Sequence, residues 1–422
     1  MRLSRSSTCR AVVAAVLASS GATFGAAAVA APAGGPATAG ASGRYIVTLV
    51  EDVSVDAVAD EHAKRYSAQL GHLYRHAMRG YAARMSAHAA GRLAQDPRVL
   101  AVEPDRTVTI ADHVAVTAGL PTGIDRLDAE LSHTAAIGTD SVLDVDVAVL
   151  DTGIAAHPEL KVAGGYNCTS RTRSAFNDGN GHGTHVAGTI AAKDDGAGVV
   201  GVAPGARLWA LKVLSDSGSG YQSDIICGVD WVTGRKDIEV ANMSLSGSGA
   251  DPNDGVVGDC RTRNAYHDAI CRSVGAGTTY VVAAGNNAAD ASSRVPAAFD
   301  EVVTVSALAD FNGQPGGGAA ATCRADEDDT FANFSNHGHD VDLIAPGVCI
   351  TSTWLGGGMH TISGTSMAAP HVAGAAALYK VRHPLAKPAE VQAALQNTGQ
   401  LDWDNSDDRD GNKEPLVHVA AL

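Results

Sequence analysis

The chain has 422 residues, 45% of them hydrophobic and 18% charged, which allows two or three compact domains with a sizeable core and excludes a disordered chain. A mean hydropathy of -0.00 argues against a multi-span membrane protein. The net charge is -15, and beyond Val114 there are 19 Lys and Arg against 37 Asp and Glu, a surface that repels nucleic acid and anionic membranes and can supply carboxylates to cations.

Residues 1–33 read as a secretory signal. Arg2, Arg5 and Arg10 precede an Ala/Val-rich run from Ala11, and small residues surround Ala28-Val29-Ala30-Ala31. Ser19, Ser20, Gly21 and Thr23 interrupt the apolar run and speak against a retained anchor helix. Cys9 would leave with this segment. Six cysteines remain, with no Cys-x-x-Cys spacing, so in an exported chain they point to disulfides rather than metal thiolates. Sequence proximity pairs Cys260 with Cys271 and Cys323 with Cys349, leaving Cys168 for Cys227, one of the fifteen pairings six cysteines allow.

After a Gly/Pro/Ala linker at 34–43, residues 44–114 form a separate block. A strand is expected from Tyr45, a helix from Ala57 to Met78, a strand from Gly80 to Met85, a helix from Ser86 to Gln95 and an extended piece from Val99 to Ile110. This is a small α+β domain, and alone it could be a binding module. Residues 115–422 change character: from Gly123, apolar runs such as Val145–Leu150, Leu208–Leu214, Val240–Leu245, Tyr280–Ala284, Val302–Ser306 and Val341–Ala345 alternate with helical segments. That alternation predicts an α/β fold, a mostly parallel sheet with helices on both faces, whose ligands sit at the carboxyl ends of the strands.

Three segments carry chemistry. The run Val145–Leu150 leads into Asp151-Thr-Gly, which sets a carboxylate at a strand's carboxyl end. Gly181-His182-Gly-Thr-His-Val-Ala-Gly puts a histidine at the start of a small-residue helix. In Ser363-Gly-Thr-Ser366-Met-Ala-Ala-Pro, Ser366 stands at a helix N-terminus, where backbone N–H groups favour a developing negative oxygen. A serine needs a neutral imidazole to take its proton, and the imidazole needs a carboxylate to fix its tautomer. Three other readings compete: an aspartic protease using Asp151 and Asp216, a metal enzyme using His182 and His185, and a binding protein without activity. Asp216 lacks a preceding apolar strand, and the histidines lack the His-Glu-x-x-His spacing.

The three segments resemble, residue for residue, the signature segments of the subtilisin-like serine proteases. Lys212-Val-Leu-Ser-Asp-Ser-Gly-Ser-Gly, Phe331-Ala-Asn-Phe-Ser-Asn and Ile362-Ser-Gly-Thr-Ser-Met are most similar to the proteinase K branch. The resemblance implies a secreted endopeptidase with Asp151, His182 and Ser366 as triad and Asn286 and the Ser366 N–H as oxyanion hole. It implies substrate walls at Gly218-Ser219-Gly220, Ser244-Leu245-Ser246-Gly247 and Ala283-Ala284-Gly285. None of these brings a charge, so an apolar or aromatic residue before the cut is expected. Residues 44–114 then resemble the inhibitory propeptide, ferredoxin-like in shape, an inhibitor and folding chaperone removed near Val114 with Ala115 as mature start. No catalytic cofactor is expected. Structural Ca2+ is, held by the Asp342 carboxylate and the carbonyls of Asp300 and Val302. The acidic run Asp404–Gly411 lacks the distal Glu of an EF-hand and reads as a solvated turn. Polypeptide substrates and the chain's own propeptide are the expected partners of a monomer, with no nucleic acid and, once the signal is gone, no membrane.

Overall fold

A computed structural model of the protein describes residues 42–110, 121–139 and 142–422. The expected signal, all but the last residues of the linker, and the junction at 114 and 115 lie outside the described residues. The first block runs β1 (Ser42–Leu49), α1 (Val55–Tyr66), β2 (Gln69–Tyr74), β3 (Gly80–Ser86), α2 (Ala87–Leu93) and β4 (Val99–Pro104), followed by β5 (Thr107–Thr109). The strands form an antiparallel sheet in the order β2-β3-β1-β4, the β-α-β-β-α-β arrangement of ferredoxin-like domains. Strand periodicity divides its work. Val47, Leu49, Tyr81, Ala83 and Met85 face α1 and α2, while Ile46 and Ala82 face the second domain.

One element differs from expectation. The helix predicted over 57–78 stops at Tyr66, because Ser67 turns into the left-handed region (φ 53°) and its N–H returns to the Ala63 carbonyl. The following Gln69–Tyr74 pairs with β3 as a strand.

The second domain runs through α3 (Thr122–Arg126), β6 (Asp146–Asp151), β7 (Val162–Asn167), α4 (His182–Ala191), β8 (Arg207–Lys212), β9 (Ser219–Tyr221), α5 (Gln222–Thr233), β10 (Val240–Met243) and β11 (Gly247–Ser248). It continues through α6 (Ala265–Gly275), β12 (Thr279–Ala283), β13 (Arg294–Val295), β14 (Val303–Ala309), β15 (Thr330–Phe331), β16 (Leu343–Pro346), β17 (Ile350–Thr353), β18 (Met359–Ile362), α7 (Thr365–Arg382) and α8 (Pro388–Thr398). The main sheet has the order β15-β14-β12-β10-β6-β8-β7, with β16 also on β14, and every pairing is parallel except β14 with β15.

Alternate residues of the buried strands feed two cores. Val147 and Val149 join α4 and α7 on one face, whereas Ala148 and Leu150 join α5 and α6 on the other. The second core also takes in Ile46, Tyr74, Met78, Ala82 and Val108, so the first domain docks on the α5/α6 face. The disulfides are Cys168–Cys227, Cys260–Cys271 and Cys323–Cys349, the expected set. Among the described residues no helix is long and apolar enough to cross a membrane.

Candidate active site

Strands β6, β10 and β12 are parallel neighbours, so the loops at their carboxyl ends emerge together at one edge of the sheet. Asp151 ends β6. His182 opens α4, and its Nδ1 lies 2.7 Å from Asp151 Oδ1, both side chains fully buried. A carboxylate only accepts, so Nδ1 carries a proton, which in a neutral imidazole leaves Nε2 as the acceptor. Asp178, which sequence reasoning missed, locks this corner. Its carboxylate accepts from Thr152 Oγ1 (2.9 Å) and from the N–H and hydroxyl of Thr184 (3.0 and 2.7 Å), joining the end of β6 to the first turn of α4. The approach is close enough that a Cβ on Gly183 would stand 2.2 Å from the Gly153 carbonyl.

Ser366 lies in the first turn of α7, and its hydroxyl donates to the Ser244 carbonyl just beyond β10 (3.3 Å). Pro370, four residues on, has no N–H to offer the Ser366 carbonyl. Ser244 Oγ donates to that carbonyl instead (2.8 Å), so the missing helix bond is replaced by one that pins Ser366 to the sheet. Asn286 comes after β12, and its Oδ1 accepts from the Thr365 N–H and hydroxyl (2.9 and 2.8 Å). This fixes which way the amide faces. Asn336 braces the loop from behind, donating to the Ala284 carbonyl (2.8 Å) and accepting from the N–H groups of Asn287 and Ala289 (3.0 and 3.1 Å). Thr365 and Asn336 both lie inside segments quoted for their resemblance, but neither was given a role there.

Two of the three segments expected to be substrate walls pair with a strand of the first domain. β5 pairs antiparallel with β9, Ile110 N–H donates to the Gly218 carbonyl (3.0 Å), and Thr109 exchanges both backbone bonds with Ser246 (3.2 and 3.3 Å). Thr109 and Ile110 end against a cavity of about 150 Å³ also bordered by Leu245, Ser246, Ala283, Gly285, Asn286, Thr365 and Ser366. Gly247 continues into β11, opposite Val295 of β13. Arg294, on β13, borders the same cavity and belongs to none of the predicted walls. Gly220 must lack a side chain, because a Cβ there would stand 2.5 Å from the Val213 carbonyl.

Residues 144–415 match the model of the subtilase family, and residues 44–111 that of peptidase inhibitor I9. The thermostable alkaline protease of Halalkalibacterium halodurans is 37% identical over 307 residues, covering 73% of this chain and 74% of that protein. Subtilisin Savinase of Lederbergia lenta is 39% identical over 279 residues, 66% of this chain and 91% of its own. The chain belongs to the subtilase family. A solved structure described as a cold adapted subtilisin-like serine proteinase shares 33% identity at a TM-score of 0.55, covering 72% of this chain and 99% of that one. This subtilase is therefore a serine endopeptidase preceded by an I9 inhibitor domain. These relatives do not decide its place near the proteinase K branch.

The inhibitor domain of this subtilase grips two helix starts and one helix side. Asp105 accepts from the N–H and hydroxyl of Ser223 at the start of α5 (2.9 and 2.6 Å), and Glu103 from the Ala265 N–H at the start of α6 (2.7 Å). Carboxylates suit those positive helix ends. Burial nevertheless pushes Glu103 up to about 6, with Asp268 adding to it. In return, Asp230 on α5 receives the backbone N–H groups of Arg75, His76 and Ala77 on one oxygen (3.0, 2.5 and 2.8 Å).

The rival sites are not assembled. Asp216 is paired with Lys212 (2.6 Å), which holds its carboxyl below the usual range, the reverse of a proton-sharing dyad. His185 Nε2 is engaged with the carbonyls of Ile350 and His360 (2.9 and 3.1 Å), and burial drives its pKa down to about 3. Asp342 accepts from the Thr304 N–H and the Gln392 amide (2.9 and 2.7 Å), and burial, with Asp340 and Asp300 nearby, pushes it up to about 7. The Asp404–Gly411 run departs from the solvated turn expected of it, for Asp408 is buried.

Proposed function

We propose that this subtilase is a secreted endopeptidase that hydrolyses peptide bonds through Asp151, His182 and Ser366 and is made as an autoprocessed zymogen. The observation that carries the reading is the strand Thr107–Thr109 and Ile110, paired with both walls and ending beside Ser366 and Asn286 as an extended substrate would. Ser366 Oγ attacks the carbonyl carbon while His182 Nε2 takes its proton, and Asp151 holds the imidazole and stabilises its charged form. The Asn286 amide and the Ser366 N–H receive the oxyanion. His182 then returns the proton to the leaving amine, and water repeats the sequence to free the acyl group. Every transferred proton is handled by side chains, so no cofactor is called for.

Backbone pairing along Gly218-Ser219-Gly220 and Ser244–Gly247 supports broad acceptance of sequences. The expectation of an apolar or aromatic residue before the cut rested on uncharged walls, and Arg294 now weighs against it. Residues 1–33 would be the signal, 34–43 the linker, 44–114 the inhibitor and chaperone, and the mature enzyme a monomer starting near Ala115. A break shortly after Ile110 agrees with the pairing of the tail. For structural Ca2+, Asp342 is a buried carboxyl beside Asp340 and Asp300 with only neutral N–H partners, and a hard cation held with the carbonyls of Asp300 and Val302 would offset the burial that disfavours its charge. It would take no part in the chemistry.

The test is a serine-directed phosphonate on the parent and on Ser366→Ala. The parent should be labelled at Ser366 and lose casein-degrading activity in step. Ser366→Ala should stay unlabelled, inactive and joined to its first domain by N-terminal sequencing. A Ser366→Ala chain that still digests casein sinks the assignment.

A further inference from the structure

We propose that Asp408, Asp410 and Glu414 form a binding site for a hard divalent cation of calcium size, separate from the one considered at Asp342. One ligand atom from each lies within 4.8 Å of the others. Two oxygens each about 2.4 Å from one calcium ion are at most about 5 Å apart, so a single ion reaches all three. Asp408 is 8% and Glu414 5% exposed, and none of their four buried carboxylate oxygens receives a side-chain donor; the nearby backbone N–H groups of Arg409 and Asp410 do not offset the burial that raises the Asp408 carboxyl. Unpaired buried carboxylates are costly, and a cation removes the cost. The neighbouring bases do so only in part: Arg409 donates to the Ala288 carbonyl, Lys413 lies over Trp403 (5.4 Å), and His337 stands 3.7 Å from Asp410 and acts on Asp408 without a hydrogen bond to it. Asp410 also accepts from the Asn412 N–H (2.8 Å), a turn closed by Gly411 at φ +75°. Because Arg409 grips the carbonyl two residues beyond Asn286, an ion here would hold the segment that backs the Asn286 loop.

The probe is Tb3+ on the full chain carrying Ser366→Ala to prevent self-digestion. Trp403 donates its indole N–H to the Glu414 carbonyl (3.0 Å), close enough to sensitise a bound lanthanide. Tb3+ emission excited through indole should appear, be displaced by Ca2+ and vanish in Trp403→Phe, whereas Ca2+ stoichiometry by equilibrium dialysis should fall only in Asp408→Asn/Glu414→Gln. Should the double variant fail to fold, the Trp403→Phe comparison decides alone. Unchanged Ca2+ stoichiometry in the folded double variant, or emission that survives Trp403→Phe, overturns the site.

A different observation carries a second inference, which rests on the protease reading. We infer that Arg294 selects an acidic side chain before the cut bond. It stands opposite Ser248 in the β11/β13 ribbon just past the Ser244–Gly247 wall, and it borders the cavity shared with Ser366 and Asn286. Its Nε is buried without a partner, its guanidinium reaches only Ser248 Oγ (3.3 Å), and it makes no ion pair among the described residues. A planar cation left unpaired beside the bond to be cut matches a carboxylate. Peptide anilides differing only in Glu or Gln at that position isolate charge from shape. The parent should favour Glu by about tenfold or more in kcat/KM, and Arg294→Gln should level the two. Equal rates in the parent, with cleavage still lost in Ser366→Ala, refute the role of Arg294 and leave the protease reading standing. Cleavage that survives Ser366→Ala refutes that reading itself.

Discussion

Removing the Asp230 carboxylate should loosen the inhibitor domain without touching catalysis. One oxygen of Asp230 takes three backbone donors from Arg75, His76 and Ala77. A hydrogen bond to a charged group contributes about 1.5–3 kcal/mol net, but three on one oxygen do not add. Burial also raises the Asp230 carboxyl above its ordinary range despite these donors, so desolvation offsets part of the gain. We expect Asp230→Ala to lose about 2–3 kcal/mol, which is roughly 30- to 150-fold in inhibition constant for the separate 44–114 segment acting on the mature enzyme. Asp230 belongs to α5 on the face opposite α7, so kcat/KM for a short peptide should stay at the parent value. Asp230→Asn keeps a neutral acceptor and should fall between the two. The measurement is slow-binding inhibition. An inhibition constant within threefold of the parent for Asp230→Ala, or an Asn variant weaker than Ala, would refute the reasoning.

Asn286→Ala should lower kcat by about 10²–10³ with little change in KM, the size of effect known for the corresponding donor in subtilisin rather than one worked from these distances; stopped-assay kinetics on a peptide anilide checks it. Glu103 titrates near 6 when docked against an ordinary value of 4.5, so its protonated form favours docking. That contribution is fully present below about 4.5 and is lost as pH rises through about 6. Glu103→Gln should therefore flatten the pH dependence of inhibition in that window, by at most about tenfold because the group is only partly buried; a variant as steep as the parent counts against it.

How much of this was legible in the sequence depends on the kind of signal. Fully buried strands such as Val145–Leu150 declare themselves as apolar runs, and the three segments that resemble the family signatures have fixed local neighbours, so Asp151, His182 and Ser366 could be proposed from sequence, whereas Asn286 came only with the resemblance. The end of α1 was not, since nothing in Ser67-Ala68-Gln69 forbids a helix and only pairing with β3 decides the matter. Asp178, Asn336 and Arg294 act through contacts between segments far apart in the chain. Arg294 in particular sits nine residues after Gly285 and enters the cavity only because β13 pairs with β11. Asp408, in the run Asp404–Gly411, read as solvated for the same reason: exposure is set by what packs over a turn.

We propose that the geometry of docking would let the inhibitor domain help to build the enzyme as well as block it. Glu103 and Asp105 stand two residues apart and engage the starts of α6 and α5, the helices that precede β12 and β10. Those two strands form the centre of the parallel sheet with β6, and their pairing joins residues distant in sequence, which makes such sheets slow to assemble. A domain whose own contacts are mostly local can fold first, and by holding both helix starts at their native separation it reduces the entropy that β10 and β12 must lose in order to pair. Its next residues, Thr107–Ile110, then lie in the cleft whose walls extend from the same elements: Gly218–Tyr221 leads into α5, and Ser246 lies three residues past β10. On this proposal chaperoning and inhibition would be one binding event read at its two ends, and Asp230→Ala should slow refolding of the full chain in the same proportion as it weakens inhibition.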